Sequence, residues 1–154
     1  MEYKIPGYSE KLEINTLLLD LNGTLTVDGV MPLGTLNQIG QLKEQGFRPV
    51  LISGNTRGDA EEIALDLDID FRQATTAEDK AMVGKGYELR TAAVIGNGLI
   101  DEKLMLIARL GIVTLQAEGA HPKTLLAADI VVPTITDAFD LFLKPERMIA
   151  TMRR

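Results

Sequence analysis

Apolar runs that end in small polar turns alternate along this chain with segments whose apolar residues recur at helical spacing. That alternation predicts an α/β fold, a three-layer, doubly wound (Rossmann-like), mostly parallel sheet. Leu17-Leu18-Leu19 predicts a buried strand that delivers Asp20 to the point where the chain turns. Leu36, Ile39 and Leu42 predict a helix with one apolar face, Gly46 ends it, and Arg48 to Ile52 reads as the next strand, followed by the turn Ser53-Gly54-Asn55-Thr56. Ala60, Ile63, Ala64 and Leu67 mark a second amphipathic helix, a short strand is expected around Ile69 to Arg72, and a third helix starts near Ala77. Gly84 and Gly86 lie inside that third pattern at about 1 kcal/mol each relative to Ala, so the helix should be short or broken. Ala92-Ala93-Val94-Ile95 predicts a fourth strand, ending in Gly96-Asn97-Gly98-Leu99-Ile100-Asp101 and a helix through about Leu110. Ile112 to Leu115 and Ile130 to Val132 predict further strands, with closing helices at Ile135 to Leu143 and Pro145 to Met152.

Length and composition narrow the class. With 154 residues and no internal repeat or linker, residues 1–154 are expected to form one domain. A 45% hydrophobic and 25% charged content is an ordinary globular balance, which argues against disorder. The net charge of −6 argues against nucleic acid or an anionic membrane as a partner. The absence of cysteine excludes disulfides, thiolate metal sites and cysteine nucleophiles, and fits a reducing cytoplasm. A single histidine excludes a multi-histidine metal site within one chain. The start Met1–Gly7 lacks a signal core and no apolar stretch approaches membrane-spanning length, so a soluble cytoplasmic protein is expected.

The candidate chemistry sits at strand ends, where open α/β sheets bind their ligands. In Asp20-Leu21-Asn22-Gly23-Thr24 a carboxylate leaves the strand, Gly23 lets the backbone approach an anion, and Thr24 adds a hydroxyl. These features suit a phosphate beside a nucleophilic carboxylate. Asn-Gly is also a common turn dipeptide, so the stretch taken alone reads equally well as a plain exit from a strand.

Taken in order, Asp20-Leu21-Asn22-Gly23-Thr24, Ser53, Lys80 and Gly96-Asn97-Gly98-Leu99-Ile100-Asp101 resemble the haloacid dehalogenase (HAD) superfamily over nearly the whole chain. That family carries a D-x-D-G-T strand end, a Ser or Thr after the second strand, a Lys near a helix start, and an acidic turn after the fourth strand. Thr24 through Asp28-Gly29, Glu118-Gly119-Ala120 and Arg147-Met148-Ile149-Ala150-Thr151 look more closely like the soluble proteins related to the phosphorylation domain of P-type ATPases. The resemblance implies that Asp20 attacks phosphorus and forms an aspartyl phosphate, while Gly23, Thr24, Ser53 and Gly54 hold the phosphoryl oxygens. It implies that Lys80 neutralises charge at Asp20 and the phosphoryl group, and that Mg²⁺ is bound by Asp20, the Asn22 carbonyl and the Asn97–Asp101 turn.

Two departures from the family remove a carboxylate. Asn22 stands where hydrolytic relatives carry an aspartate that protonates the leaving group and activates water, a function worth typically about 10²–10⁴-fold. Asn97 stands where the first acidic metal ligand is common, so Mg²⁺ should bind weakly. Only residues 25–51 and 54–79 separate the first three motifs, which leaves no room for a cap domain. An open mouth implies a large phosphorylated substrate such as a protein, a lid supplied by a second copy of the chain, or low activity. The nucleotide-binding and actuator domains of ion pumps are missing, so transport is not expected.

The leading expectation is a slow Mg²⁺-dependent phosphatase or phosphotransferase acting through Asp20; the alternative is a phosphate-sensing regulatory module that hardly turns over. A flavodoxin-like phosphoryl receiver fits less well, because no acidic pair precedes the Asp20 strand. Lys85 is an alternative to Lys80, disfavoured because Lys80 follows Glu78-Asp79 in the manner of the family motif. His121, before Pro122, is expected at a helix start or in a loop, and Asp28 in a turn. Lys144, Arg147, Arg153 and Arg154 read as a solvated cationic tail.

Overall fold

The computed structural model describes all 154 residues. A small antiparallel hairpin, β1 (Glu2–Tyr3) with β2 (Leu12–Glu13), precedes the main body and was not expected from the sequence. Its two inward residues, Tyr3 and Leu12, join the larger hydrophobic core. Two-residue strands are too short for alternation to register.

The main body runs β3 (Thr16–Leu19), α1 (Thr35–Glu44), β4 (Arg48–Ser53), α2 (Ala60–Asp66), β5 (Asp70–Gln73) and α3 (Ala77–Gly84). It continues through β6 (Ala92–Gly96), a 3-10 turn Leu99–Asp101, α4 (Glu102–Ile107), β7 (Leu110–Thr114), α5 (Pro122–Ala127), β8 (Ile130–Val132), α6 (Ile135–Leu143) and α7 (Pro145–Met152). The six longer strands form one parallel sheet in the order β5-β4-β3-β6-β7-β8. The chain winds from β3 outward to β5, then crosses to β6 on the other side of β3. That reversal between β3 and β6 opens a crevice at their carboxyl ends, the place where such sheets bind ligands.

The expected three-layer parallel architecture is present. A cluster of 27 buried residues fills one face of the sheet, under α1, α2, α6 and α7, and a second cluster of 9 fills the other, under α3 and α4. Strand β3 contributes to both, with Leu17 and Leu19 on the first face and Leu18 on the second. No helix is long and apolar enough to cross a membrane.

Two element readings need correction. In α1 the buried face is Thr35, Ile39 and Leu42, while Leu36 is 60% exposed. Spacing of i, i+4, i+7 keeps one face, whereas starting at Leu36 drifts off it. The helix expected to reach Leu110 stops at Ile107, and β7 begins at Leu110 rather than Ile112. Apolar Leu110–Ile112 continues the helical pattern as well as it starts a buried strand, which periodicity alone does not resolve.

The helical glycines divide by environment. Gly84 is buried where α3 meets α4, and a Cβ there would run into the buried Leu104 side chain. Gly40, in mid-α1, is exposed with nothing within 4 Å of an added Cβ. Urea unfolding should therefore show opposite effects. Gly84→Val should lower stability by about 2–3 kcal/mol through overpacking, and Gly40→Ala should raise it by about 0.5–1 kcal/mol through helix propensity. Equal shifts in the two variants would contradict the close α3–α4 packing.

Candidate active site

Four connections aim polar groups into the crevice: the turn after β3, the loop after β4, the start of α3 and the turn after β6. The start of α3 is set by a reciprocal cap. The Thr76 hydroxyl accepts from the Asp79 N–H at 3.0 Å, and the Asp79 carboxylate accepts from the Thr76 N–H at 3.1 Å. The T-x-x-D spacing was a readable signal for this start. It holds Lys80 in the first turn, pointing under the sheet's carboxyl edge.

Lys80 is only 2% exposed, and its ammonium donates to Asp20 Oδ1 and, at 2.6 Å, to Asp101 Oδ1. Lys85 is instead the exposed residue that closes α3. Asp101 is anchored in turn: its Oδ2 accepts the main-chain N–H groups of Asn97 and Gly98, each at 3.0 Å. Two carboxylates and one ammonium leave this buried triad one negative charge in excess. Burial, with repulsion from Asp101, pushes the Asp20 carboxyl from its ordinary 3.8 up to about 6 against the opposing pull of Lys80. Burial also works against the Lys80 ammonium, but Asp20 and Asp101 outweigh it and raise its pKa.

The crevice itself has a volume of about 200 Å³ and one apolar lining side chain, Ile100. Asp20, Asn22, Ser53, Gly54, Lys80 and Asn97 all line it. The main-chain N–H groups of Asn22 and Gly54 donate to no protein acceptor, and Ser53, 2% exposed, accepts from the Asn55 N–H at 3.1 Å, which leaves its own hydroxyl proton free. Three directed donors beside an ammonium are suited to an anion. Thr56 and Thr75 also line the crevice and were not anticipated.

Thr24 and Gly23 lie behind this surface. Thr24 is fully buried, and its hydroxyl donates to Asn97 Oδ1 at 3.1 Å. The Asn97 amide nitrogen donates to the Gly119 carbonyl at 2.8 Å, and Gly23 (φ 75°) packs so closely on Asn97 that a Cβ would collide with it. Gln116, missed by sequence reading, completes the support: its amide nitrogen donates to the Gly23 and Thr24 carbonyls at 3.1 and 2.6 Å, and its Oε1 accepts from the Ile135 N–H. Thr114 adds a hydroxyl bond to the Gly23 carbonyl at 3.1 Å. No local motif marks these residues, because the sheet brings them to the turn from over 90 positions away. His121 caps α5, its Nδ1 accepting from the Lys123 N–H, and Asp28 is a turn residue at φ 52°.

The donor set suits a hard divalent cation sparingly. The Asp20 Oδ2 accepts no side-chain bond and the Asn22 carbonyl accepts none at all, so both are available oxygens. The Asn97 side chain is already committed at both ends, and an acid in its place would set a carboxylate oxygen against the Gly119 carbonyl. No cluster of three or more acidic or histidine side chains is present. Asp20 and the Asn22 carbonyl would hold Mg²⁺, an ion that keeps several waters and commonly relies on one or two carboxylates plus substrate phosphate.

No family model matches the chain. Over 59 residues it is 52% identical to an uncharacterized protein of Methanocaldococcus jannaschii, a match covering 38% of this chain and 63% of that relative, so less than two thirds of the relative is spanned. Solved structures resemble it over most of its length. The cobalt-bound deoxy-D-mannose-octulosonate 8-phosphate phosphatase of Haemophilus influenzae aligns with a TM-score of 0.74 at 17% identity, covering 92% of this chain and 94% of that one. The 3-deoxy-D-manno-octulosonate 8-phosphate phosphatase of Moraxella catarrhalis, in complex with magnesium, phosphate and the sugar acid, aligns at 0.73 and 23% identity, covering 91% and 94%. A protein of Legionella pneumophila assigned to HAD subfamily III A aligns at 0.71 and 19% identity, covering 92% and 88%. The chain therefore shares the α/β fold of these structures over about nine-tenths of its length.

The excess negative charge at the triad has a measurable consequence. Since the folded pKa of Asp20 lies above its unfolded value, the folded state is favoured by the protonated acid. That contribution is complete below about pH 4 and is lost as pH rises through about 6. In metal-free protein at pH 7, Asp20→Asn should be more stable than wild type by about 1–3 kcal/mol, with the difference vanishing toward pH 4. Urea melts across pH 4–7 provide the test, and a pH-independent difference would contradict the charge imbalance. Calorimetric titration tests the metal: Mg²⁺ should bind more tightly with phosphate or a trigonal phosphate mimic present, and equal affinities would count against a shared site.

Proposed function

We propose that the protein is a slow phosphatase or phosphotransferase of the HAD superfamily that works through a phosphoryl adduct on Asp20. The observation that carries this reading is the Lys80 ammonium buried between Asp20 and Asp101 beside unpaired Asn22 and Gly54 N–H donors. A nucleophilic carboxylate and a phosphoryl group are both anions, and an ammonium touching the nucleophile lowers their repulsion. At pH 7 a carboxyl of pKa about 6 is mostly ionised and more basic than an ordinary aspartate, which favours attack.

Ser53 and the free N–H groups would bind the phosphoryl oxygens, in place of the role expected of the Thr24 hydroxyl. Bound Mg²⁺ would supply further positive charge against the phosphoryl oxygens. The phosphorylated substrate reaches the site from an open mouth, since only the 20–34 loop and α1 separate β3 from β4, and α2 alone separates β4 from β5. Solvent is then the default acceptor, with a second copy of the chain as the remaining candidate for a lid. The likeness to P-type phosphorylation domains belongs to the same proposal, because Asn22 offers no acid or base for rapid dephosphorylation.

Asn22 separates a slow enzyme from a phosphate-sensing module. Asn22→Asp should raise steady-state hydrolysis of an activated ester by about 10²–10³-fold and shorten the lifetime of a trapped adduct, while Asp20→Ala abolishes both. Rapid-quench trapping with mass spectrometry and turnover assays measure the two quantities. Background turnover in wild type and Asn22→Asp alike, with no adduct, would leave the regulatory module as the better account.

A further inference from the structure

The crevice presents a nucleophile and anion-binding donors, yet nothing in it can hand a proton to a departing oxygen. Of its lining side chains only Asp20 and Lys80 ionise. Asp20 is the attacking group. Lys80 is the counter-ion of two carboxylates, and a proton taken from it would leave them buried and facing one another. Beside the lining residue Thr75, Asp79 accepts from the Thr75 hydroxyl at 2.9 Å and from the N–H groups of Thr75 and Thr76, an arrangement that holds it ionised. Asn22, at the mouth of the turn, offers a buried Oδ1 with no partner, which is an acceptor. The sole histidine, His121, adjoins the site through its main-chain N–H, which donates to the Asn97 carbonyl at 2.8 Å, but its side chain does not line the crevice and its Nδ1 accepts from the Lys123 N–H as the cap of α5.

A site without an acid favours a leaving group that departs as a stable anion. Carboxylates have conjugate acids of pKa about 4, whereas an alkanol ionises about as reluctantly as water. The energetics of the adduct point the same way. Moving a phosphoryl group from one carboxylate to another exchanges like bonds, whereas making an aspartyl phosphate from an alkyl ester is uphill. Size and polarity disfavour a nucleotide: the cavity of about 200 Å³ has no aromatic lining residue and a single apolar one, below the volumes usual for drug-sized ligands.

Resting on the reading of Asp20 as nucleophile, we infer that the phosphoryl donor for this site is a small acyl phosphate. An Asp20 carboxylate oxygen forms a bond to phosphorus as the bond from phosphorus to the acyl oxygen breaks. The electron pair stays on the departing oxygen, the donor leaves as a carboxylate, and no proton moves. Water later attacks the phosphorus of the adduct, the bond to Asp20 breaks, inorganic phosphate forms, and the proton passes to solvent.

Adduct formation and turnover should be measured on the wild-type chain with acetyl phosphate, ATP and glycerol 3-phosphate, each corrected with Asp20→Ala. Acetyl phosphate should exceed glycerol 3-phosphate in kcat/KM by at least about 10³-fold and should exceed ATP. Asn22→Asp should narrow the first gap by about 10²–10³-fold, because a restored acid assists only the alkoxide. Asp20-dependent phosphorylation by glycerol 3-phosphate as fast as by acetyl phosphate would overturn the inference and leave the nucleophile assignment standing. Preference for ATP would overturn the small acyl donor. No adduct from any donor would overturn both.

Discussion

The site is organised by one buried ammonium shared between two carboxylates. Lys80 joins three otherwise separate pieces of chain: the turn after β3 through Asp20, its own helix α3, and the turn after β6 through Asp101. Opposite unit charges about 4 Å apart attract by about 4 kcal/mol at an effective dielectric near 20; Lys80 lies closer than that to both carboxylates, and the attraction is offset by the cost of burying the charges. The sum leaves one negative charge unmatched, which is why burial and Asp101 together hold the Asp20 proton more tightly. A triad with that imbalance is completed by a proton or by an added cation. Protonation of the triad and binding of the proposed Mg²⁺ and phosphate would therefore be coupled.

The turn that carries Asp20 is held by groups that never touch a ligand. Gln116 and Thr114 bind the Gly23 and Thr24 carbonyls, and Asn97 stitches Thr24 to Gly119. The two asparagines that replace expected carboxylates thus differ in kind. Asn97 is explained by its surroundings, since only an amide offers both an acceptor to Thr24 and a donor to Gly119. Asn22 has no comparable account: its Oδ1 is unpartnered and its amide nitrogen makes only a long, 3.4 Å bond to Thr56.

Much of the scaffold was legible because its elements are of the kind that periodicity identifies. The closing helices were readable to their boundaries, Thr134 capping α6 and Pro145 opening α7. The central strands β3, β4, β6 and β7 announced themselves as apolar runs buried on both faces, unlike the edge strand β5. What was not legible depended on distance or ambiguity. Leu110 fits a helix end and a strand start equally, and the hairpin is too short to show a period. Gln116 has meaning only once β7 lies beside the β3 turn, and Thr24 looked like a ligand group because sequence does not say which side of a turn faces the crevice. Asp20, Lys80 and Asp101 stood out through the order of their motifs, and Lys80 was preferred to Lys85 on its Glu78-Asp79 context, while the contacts among the three exist only in the folded chain.

An uncapped crevice and a missing acid-base group bear on the proposed intermediate in opposite ways. No inserted domain covers the strand ends, so although Asp20 itself is largely buried, a phosphoryl group held on it in the crevice would not be shielded from water. Any persistence must come from the lack of a group to activate that water. If Asp20 is the nucleophile as proposed, residue 22 rather than motion of a lid would govern the lifetime of the adduct. Rigid support of the β3 turn by Asn97, Gln116 and Thr114 is consistent with this division, because a site that needs no closure can be preorganised by the fold alone.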